Sequence, residues 1–193
     1  MTELDVLLED LTSGDDLQAE FAAERLPDFG SPALLALQLL LQDQNPDVRW
    51  WAVRSLAGFE KSGDTVSSLL PSLGDESREV RQAATLAFCQ RPDTQAQAGL
   101  IRNLADPDPM VSRLASNALI ALGSRAIPAL VEVLERGIQS ARIESARALA
   151  EIKDTRAIPD LMKAMEDDST LVQFWAKFGL DNLGVGMVYF NPG

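Results

Sequence analysis

The feature that most constrains this chain is a sequence pattern that returns about every thirty residues. Each copy starts with a residue that is usually apolar and often followed by arginine, with alanine one helical turn later and leucine one turn after that. Neighbouring copies lie 30 to 32 residues apart, and they begin at Gln18, Val48, Val80, Val111, Ala141 and Val172. Periods in this range are typical of stacked repeats, in which each copy adds one layer to a continuous core. We therefore predict a repeat protein that works through an extended surface.

Each copy has room for two amphipathic helices, as residues 108–135 show. Two apolar stripes with helical spacing lie in this stretch: Val111, Ala115, Ala118, Leu119 and Leu122, then Ile127, Leu130, Val131 and Leu134. Gly123 stands where the first helix would end, and Pro128 falls in the first turn of the second, where a missing amide hydrogen is harmless. One copy therefore predicts one helical hairpin.

Composition narrows the classes of function. The chain has 193 residues with a net charge of -12, which disfavours nucleic acid as a partner because binding to phosphates depends on a surplus of lysine and arginine. It contains no histidine, so the commonest general base and the commonest metal ligand are both absent. We predict no catalytic residue, no metal ligand and no cofactor. No apolar run is long enough for a membrane span, and the acidic start Met1 to Asp5 lacks a signal-like basic region, so we expect a cytoplasmic protein.

The repeated residues resemble the HEAT repeat, and more closely its short variety in phycobilisome-lyase-like proteins. The best matches are Asp108 to Leu130 and Ala141 to Leu161. The resemblance implies an all-α fold, a right-handed α-α superhelix (solenoid) of about five to six HEAT-like helical hairpins. It covers residues 15–183, and we assign residues 1–193 to a single solenoid domain, with 184–193 as a non-helical C-terminal cap.

The resemblance also implies a structural role for the repeated arginines. In such repeats the recurring aspartate and arginine form a ladder of hydrogen bonds between neighbouring units, which assigns Arg49, Arg81 and Arg142 to the ladder. The alternative is that these arginines line a groove and bind an anion. Three copies depart from the pattern: Gln18 and Ala19 open the first, and Ser112 and Gln173 replace arginine in the fourth and sixth.

The side of the first helices that faces away from the repeated apolar residues is a candidate binding surface. With residues 100° apart, this side comprises the positions two, five, six and nine residues after the start of each copy. Over the five copies that begin at Val48 to Val172, these positions hold four bases and one acid, Asp181, although the chain has 29 acidic and 17 basic residues. We define the candidate surface by ten residues: Trp50, Arg54, Leu86, Arg113, Asn117, Ile143, Arg147, Phe174, Lys177 and Phe178.

In HEAT geometry these helices would line the concave side of the superhelix, where they would suit a partner that is both apolar and negatively charged. The alternative is that neighbouring repeats cover some of these side chains. Trp50 and Trp51 illustrate the difficulty, because adjacent residues point in different directions and one of the pair is expected in the core.

Three functions follow. The first is a non-enzymatic scaffold or adaptor that binds another protein on its concave face. The second, implied by the resemblance, is a bilin lyase-like or chromophore-handling protein, with a bilin or a bilin-carrying protein as partner; this is the one enzymatic alternative. The third is an accessory partner in iron-sulfur cluster assembly, for which Cys89 is the only support.

Three further features have ordinary and functional interpretations. Cys89 is either an inert small apolar residue or an accessible thiol. The run Glu166 to Asp168 belongs to a solvated acidic face, since it lacks the oxygen spacing and glycine turn of a calcium loop. Residues 184–193 are too apolar for a solvated tail, so they either cover the last hairpin near Phe174 and Trp175 or dock a partner.

Overall fold

The fold is entirely helical over the residues that the structure, a computed structural model, describes, which are 1–60 and 62–185. The chain separates into two compact units, Met1–Arg91 and Pro92–Gly193. The predicted all-α class is confirmed, whereas the assignment to a single domain stays a prediction. Within the described residues no helix is both long and apolar enough to cross a membrane.

Over residues 1–60 and 62–91, the first unit contains six α-helices and two short 3-10 segments. The helices are α1 (Glu3–Leu11), α2 (Asp16–Arg25), α3 (Ser31–Leu40), α4 (Pro46–Leu56), α5 (Gly63–Leu69) and α6 (Arg78–Gln90), and the 3-10 segments are Leu26–Phe29 and Pro71–Gly74. Helix α1 lies outside the repeats and was not predicted. Thr2 caps it through a reciprocal capping box with Asp5.

The first helices of the repeats, α2, α4 and α6, pack side by side in this unit. Helix α3 packs on α4, and α1 packs on α2. The largest fully buried side chains of this unit are Leu11, Leu26, Leu37, Leu56, Leu73 and Val53. Val48 and Ala52 of the repeated apolar stripe are buried together with Leu56, so this stripe is part of the core, as predicted.

The second unit repeats the same arrangement. Its helices are α7 (Gln97–Asn103), α8 (Pro109–Leu122), α9 (Ile127–Arg136), α10 (Gln139–Ile152), α11 (Ile158–Ala164) and α12 (Thr170–Asn182), with 3-10 segments at Thr94–Ala96, Gly123–Arg125 and Thr155–Ala157. Helix α10 packs between α8 and α12, while α9 packs on α10 and α11 packs on α12. Gly123 ends α8 with a φ of 65°, as its position in the repeat predicted.

The C-terminal cap falls mostly outside the described residues, which end at Val185. Gly184, two residues after the end of α12, has a φ of 78°, and the amide of Val185 donates to the carbonyl of Leu180 at 3.0 Å. Such a hydrogen bond is typical of a helix that closes on a left-handed glycine. The predicted cap over Phe174 and Trp175 lies in residues 186–193 and stays a prediction.

Candidate functional site

The exposed side of the first helices is narrower than the helical wheel predicted. In the five copies that begin at Val48 to Val172, the position five residues after the start is buried four times, at Val53, Thr85, Ser116 and Ala146. The prediction that this position is exposed was wrong. In the first unit α4 has a neighbouring helix on each side, α2 and α6, and in the second unit α10 lies between α8 and α12. Neighbouring helices therefore cover the positions at both edges of the predicted exposed side, and only a narrow stripe of each first helix is exposed to solvent.

The part of the candidate surface in the first unit consists of Trp50, Arg54 and Leu86. Arg54 and Leu86 are exposed, and Trp50 is half-buried. The neighbouring Trp51 is also half-buried, so the expectation that one tryptophan enters the core was wrong. The two indoles meet edge to face, with ring centroids 4.6 Å apart and an interplanar angle of 87°. Packing against each other lets both rings stay at the surface.

In the second unit, Arg113, Asn117 and Arg147 are brought together by hydrogen bonds between α8 and α10. The guanidinium of Arg147 donates to Asn117 Oδ1 at 2.8 Å and to the carbonyl of Arg113 at 3.3 Å. Arg147 is only 4% exposed, which contradicts its predicted place on an open surface. The physical reason is that its side chain lies between two packed helices and is held there by acidic partners.

Acidic side chains neutralise most of the bases of the candidate surface. Glu144 bridges two of them, with Oε1 at 3.1 Å from Arg113 Nη2 and Oε2 at 3.0 Å from Arg147 Nε. Arg147 also pairs with Glu151 at 2.8 Å, and Lys177 pairs with Asp181 at 2.6 Å. The second-unit part of the surface is therefore nearly neutral, and the prediction of a surplus of basic charge is wrong there.

Helix α12 carries the most apolar part of the candidate surface. Phe174 and Phe178 stack with centroids 6.4 Å apart, and Trp175 meets both rings edge to face. Leu171 extends this stripe, and it was missed at the sequence level although its spacing to Phe174 and Phe178 is the i, i+3, i+7 signal of one helical face. Ile143, on α10, is half-buried.

The predicted arginine ladder is present within each unit. Arg49 makes a two-pronged ion pair with Asp75, in which Nε and Nη2 donate to the two carboxylate oxygens at 2.9 and 2.8 Å. Its Nη1 donates to the carbonyl of Asp43 at 2.8 Å. The hydrogen bonds that Arg49 donates to Asp75, together with the negative charges of Asp75 and Glu76, raise the pKa of the Arg49 guanidinium above its ordinary value. Arg49 therefore ties the linker before α4 to the linker before α6.

The other ladder residues follow the same plan. Arg142 pairs with Asp167 at 3.2 Å and also contacts Asp168. Arg81 donates to the carbonyl of Asp75, six positions before it, at 2.8 Å. This is equivalent to the hydrogen bond from Arg49 to the carbonyl of Asp43. Gln173, which replaces arginine, keeps this last bond by donating to the carbonyl of Asp167 at 2.6 Å. The structural assignment of Arg49 and Arg142 is confirmed.

Two residues of the acidic run Glu166 to Asp168 make structural ion pairs. Asp167 and Asp168 serve the ladder through Arg142. Over residues 1–60 and 62–185, no group of three or more cysteine, aspartate or glutamate side chains is arranged to hold a metal ion. Cys89 is half-buried on α6.

The ion pair between Asp154 and Arg156 in the second unit allows a prediction about how stability depends on pH. The pKa of Asp154 lies below its ordinary value of 3.8 because its carboxylate accepts hydrogen bonds. The largest contribution comes from the Arg156 guanidinium, and the next comes from the Ser124 hydroxyl, which donates at 2.6 Å. A carboxylate with a lowered folded-state pKa stabilises the fold above its unfolded pKa, and this contribution is lost as the pH falls through the folded value. Asp154→Asn should therefore lower the Tm at pH 7, and the difference from wild type should shrink below about pH 4.

The measurement is thermal unfolding by circular dichroism from pH 7 down to pH 3. Glu9→Gln is the control, since Glu9 makes no ion pair within the described part of the chain. Its difference from wild type should stay constant over the same range. A pH-independent effect of Asp154→Asn would contradict the prediction.

Family comparisons agree with the helical repeats. A family profile of HEAT repeats matches residues 4–87 and 66–138, and a profile of the PBS lyase HEAT-like repeat matches residues 141–167. The chain is 35% identical over 85 residues to the bilin biosynthesis protein RpcF of Synechococcus sp.. That alignment covers 44% of this chain and 41% of RpcF.

Solved structures with the same architecture include two repeat proteins. In the complex of CpcE and CpcF of phycocyanin lyase from Nostoc sp., one chain matches with a TM-score of 0.55 and 22% identity, over 95% of this chain and 78% of that chain. A designed armadillo repeat protein matches with a TM-score of 0.51 and 20% identity, over 94% of this chain and all (100%) of the designed one. These likenesses show the fold, a helical repeat solenoid.

Proposed function

Because the chain belongs to the HEAT-repeat family, we propose that it is a non-enzymatic interaction module that binds another protein through the first helices of its repeats. The observation that carries this proposal is the outer face of α12. Leu171, Phe174 and Phe178 are 54%, 56% and 41% exposed, and they form one continuous stripe. Contiguous apolar patches of this kind mark interaction sites on soluble proteins.

The exposed stripe lies on a different side of α12 from the face that packs into the core of the second unit. That inner face buries Val172, Ala176, Gly179 and Leu180. Gly179 permits a close approach, since a Cβ atom there would lie 2.9 Å from the Cβ of Ala150. Helix α12 is therefore apolar on two sides, and only one of them is occupied within the described residues.

The packing of α10 indicates what would fit the outer side. Helix α10 lies side by side with α12 in the same way as α8 lies beside α10. We expect the partner to place an amphipathic helix along Leu171, Phe174 and Phe178, as a further first helix of the array would do. Lys177 and Asp181 form an ion pair on the rim of this face, which suits the polar margin of such an interface.

The test compares partner binding by wild type and by a Phe174→Ser, Phe178→Ser double variant. Proteins retained by the tagged wild type from the native cell are identified by mass spectrometry, and the main partner is then purified and titrated by calorimetry. Because the loss of one aromatic anchor costs about 2 kcal/mol or more, which corresponds to about thirtyfold in affinity, the double variant should bind at least about thirtyfold more weakly.

The matched control is Met162→Ser, which removes another exposed apolar side chain of the second unit, on α11 and so outside the first helices of the repeats. It should leave the affinity within about twofold of wild type, because exposed residues outside the contact contribute little. Equal binding by the double variant and by wild type would overturn the assignment of the α12 face.

A second candidate function is the handling of a bilin, favoured by the similarity to RpcF and by the PBS lyase HEAT-like match. The geometry of the candidate surface offers it less support. The two carboxylates of a bilin would compete with Glu144, Glu151 and Asp181 for bases that are already paired. A titration with a free bilin separates the two candidates: a shifted visible absorption spectrum supports pigment handling, and no shift at excess pigment refutes it.

A further inference from the structure

The first unit contains a cleft of about 540 Å³ that the repeat pattern did not predict. It lies between the connection from α1 to α2, the first turns of α2 and the start of α4. Its size is in the range of sites that enclose a small ligand or a side chain with part of its backbone. The lining residues are Leu11, Thr12, Gly14, Asp16, Leu17, Glu20, Asn45, Asp47, Val48, Trp50 and Trp51.

The tryptophan pair gives the cleft an aromatic wall. Trp50 and Trp51 are both half-buried, and their edge-to-face contact occupies one face of only one indole. The negative face of an indole attracts cations, and such a contact gains strength when it is partly desolvated. Leu11, Leu17 and Val48 add apolar surface beside the rings.

The charge of the cleft is entirely negative. Asp16, Glu20 and Asp47 line it, and none of them makes an ion pair over residues 1–60 and 62–185. No lysine or arginine is among the described residues that line the cleft. Asp16 and Asp47 lie in the first turns of α2 and α4, where the helix dipole favours the ionised carboxylate. No basic side chain of the described residues neutralises these carboxylates, so they can pair with a cationic ligand.

We propose that this cleft binds an arginine side chain of the partner protein. The guanidinium would stack on the exposed indole surface while its N–H groups pair with the carboxylates, and the aliphatic stem would contact Leu17 and Val48. Arginine suits this combination better than lysine because its planar group stacks on aromatic rings and donates to carboxylates along two edges. The inference rests on the proposed function in one respect, that the partner is a protein.

The test measures binding of a fluorescein-labelled peptide, Gly-Ser-Ala-Arg-Ala-Ser-Gly, by fluorescence anisotropy. A matched peptide carries citrulline, which has the shape of arginine without its charge. We expect the citrulline peptide to bind at least about tenfold more weakly, and Trp50→Ala to weaken binding of the arginine peptide by a similar factor. A lysine peptide that binds as tightly as the arginine peptide would overturn the choice of arginine.

Two double variants separate local contacts from the overall charge of an acidic protein. Glu20→Gln with Asp47→Asn removes two of the three negative charges of the cleft and should weaken binding about fivefold. Glu9→Gln with Glu24→Gln changes the net charge by the same amount at exposed positions outside the cleft, and should change binding less than twofold. Equal effects of the two double variants, or equal binding of the arginine and citrulline peptides, would overturn the proposal.

The outcome is independent of the test of the α12 face. The Phe174→Ser, Phe178→Ser variant should bind the arginine peptide as wild type does, because its substitutions lie in the other unit. If that variant loses the partner while the peptide shows no preference for arginine, the cleft assignment fails and the proposed function stands. If the peptide prefers arginine while the α12 face proves dispensable, the proposed docking face fails and the cleft stands.

Discussion

Replacing Arg49 with alanine should lower the free energy of unfolding by about 3–5 kcal/mol, the range measured when one partner of a buried ion pair is removed. The side chains of Arg49 and Asp75 are only 7% and 12% exposed, so the carboxylate left behind would be charged, nearly buried and without its guanidinium. The substitution would also leave the carbonyl of Asp43 without the hydrogen bond from Nη1. Urea unfolding followed by circular dichroism measures the change.

The same helix provides the control. Arg54 lies on α4, is exposed and makes no ion pair within the described residues, so Arg54→Ala should change stability by no more than about 0.5 kcal/mol. Arg49→Lys should lie between the two, because lysine keeps the charge but cannot make the two-pronged pair. If Arg49→Ala and Arg54→Ala had equal effects, the ladder would have no structural role.

The second large effect is expected at Leu119, which is fully buried in the middle of α8. Leu119→Ala should destabilise the protein by about 2–5 kcal/mol, because it removes apolar contacts and leaves a cavity between helices that relax only partly. The loss should be near the upper end of this range, since Ala115 and Ala118 beside it offer no long side chain that can fill the space.

Met110→Ala on the same helix is the control for the loss of apolar volume. Met110 is 55% exposed, so its truncation leaves no enclosed cavity, and we expect a change below about 0.5 kcal/mol. Urea unfolding of both variants gives the comparison. A small effect at Leu119 would mean that the layer can collapse around the missing side chain.

The helices of the repeats were predictable because their signals are local. An apolar residue at every third or fourth position, a proline such as Pro128 in the first turn and Gly123 at the end of α8 are each visible within one hairpin. Helix α1 was missed because it lies outside the repeat, although Thr2 and Asp5 form a recognisable capping signal. The period of the repeats therefore predicted the fold class, but it could not predict α1, which lies outside the repeats.

The candidate surface was less predictable, because the wheel places side chains around one helix and ignores its neighbours. Arg147 was expected at the surface, yet Glu144 and Glu151, three residues before and four after it, hold it between α8 and α10. Spacings of three and four residues are the ordinary signal for ion pairs on a helix, and they would have indicated that Arg147 is neutralised. Nothing in the repeat pattern indicated the cleft beside Trp50.

By itself the sequence determined the class of the protein, the period of its repeats, the position of the helices in those repeats and the residues of its core. Each of these depends on spacing along the chain, which helical geometry converts directly into a position on a face. Only the tertiary structure decided which bases are neutralised, that Trp50 and Trp51 both reach one cleft, and that α12 leaves an apolar stripe exposed. These depend on distances between side chains of different helices, set by how the helices pack.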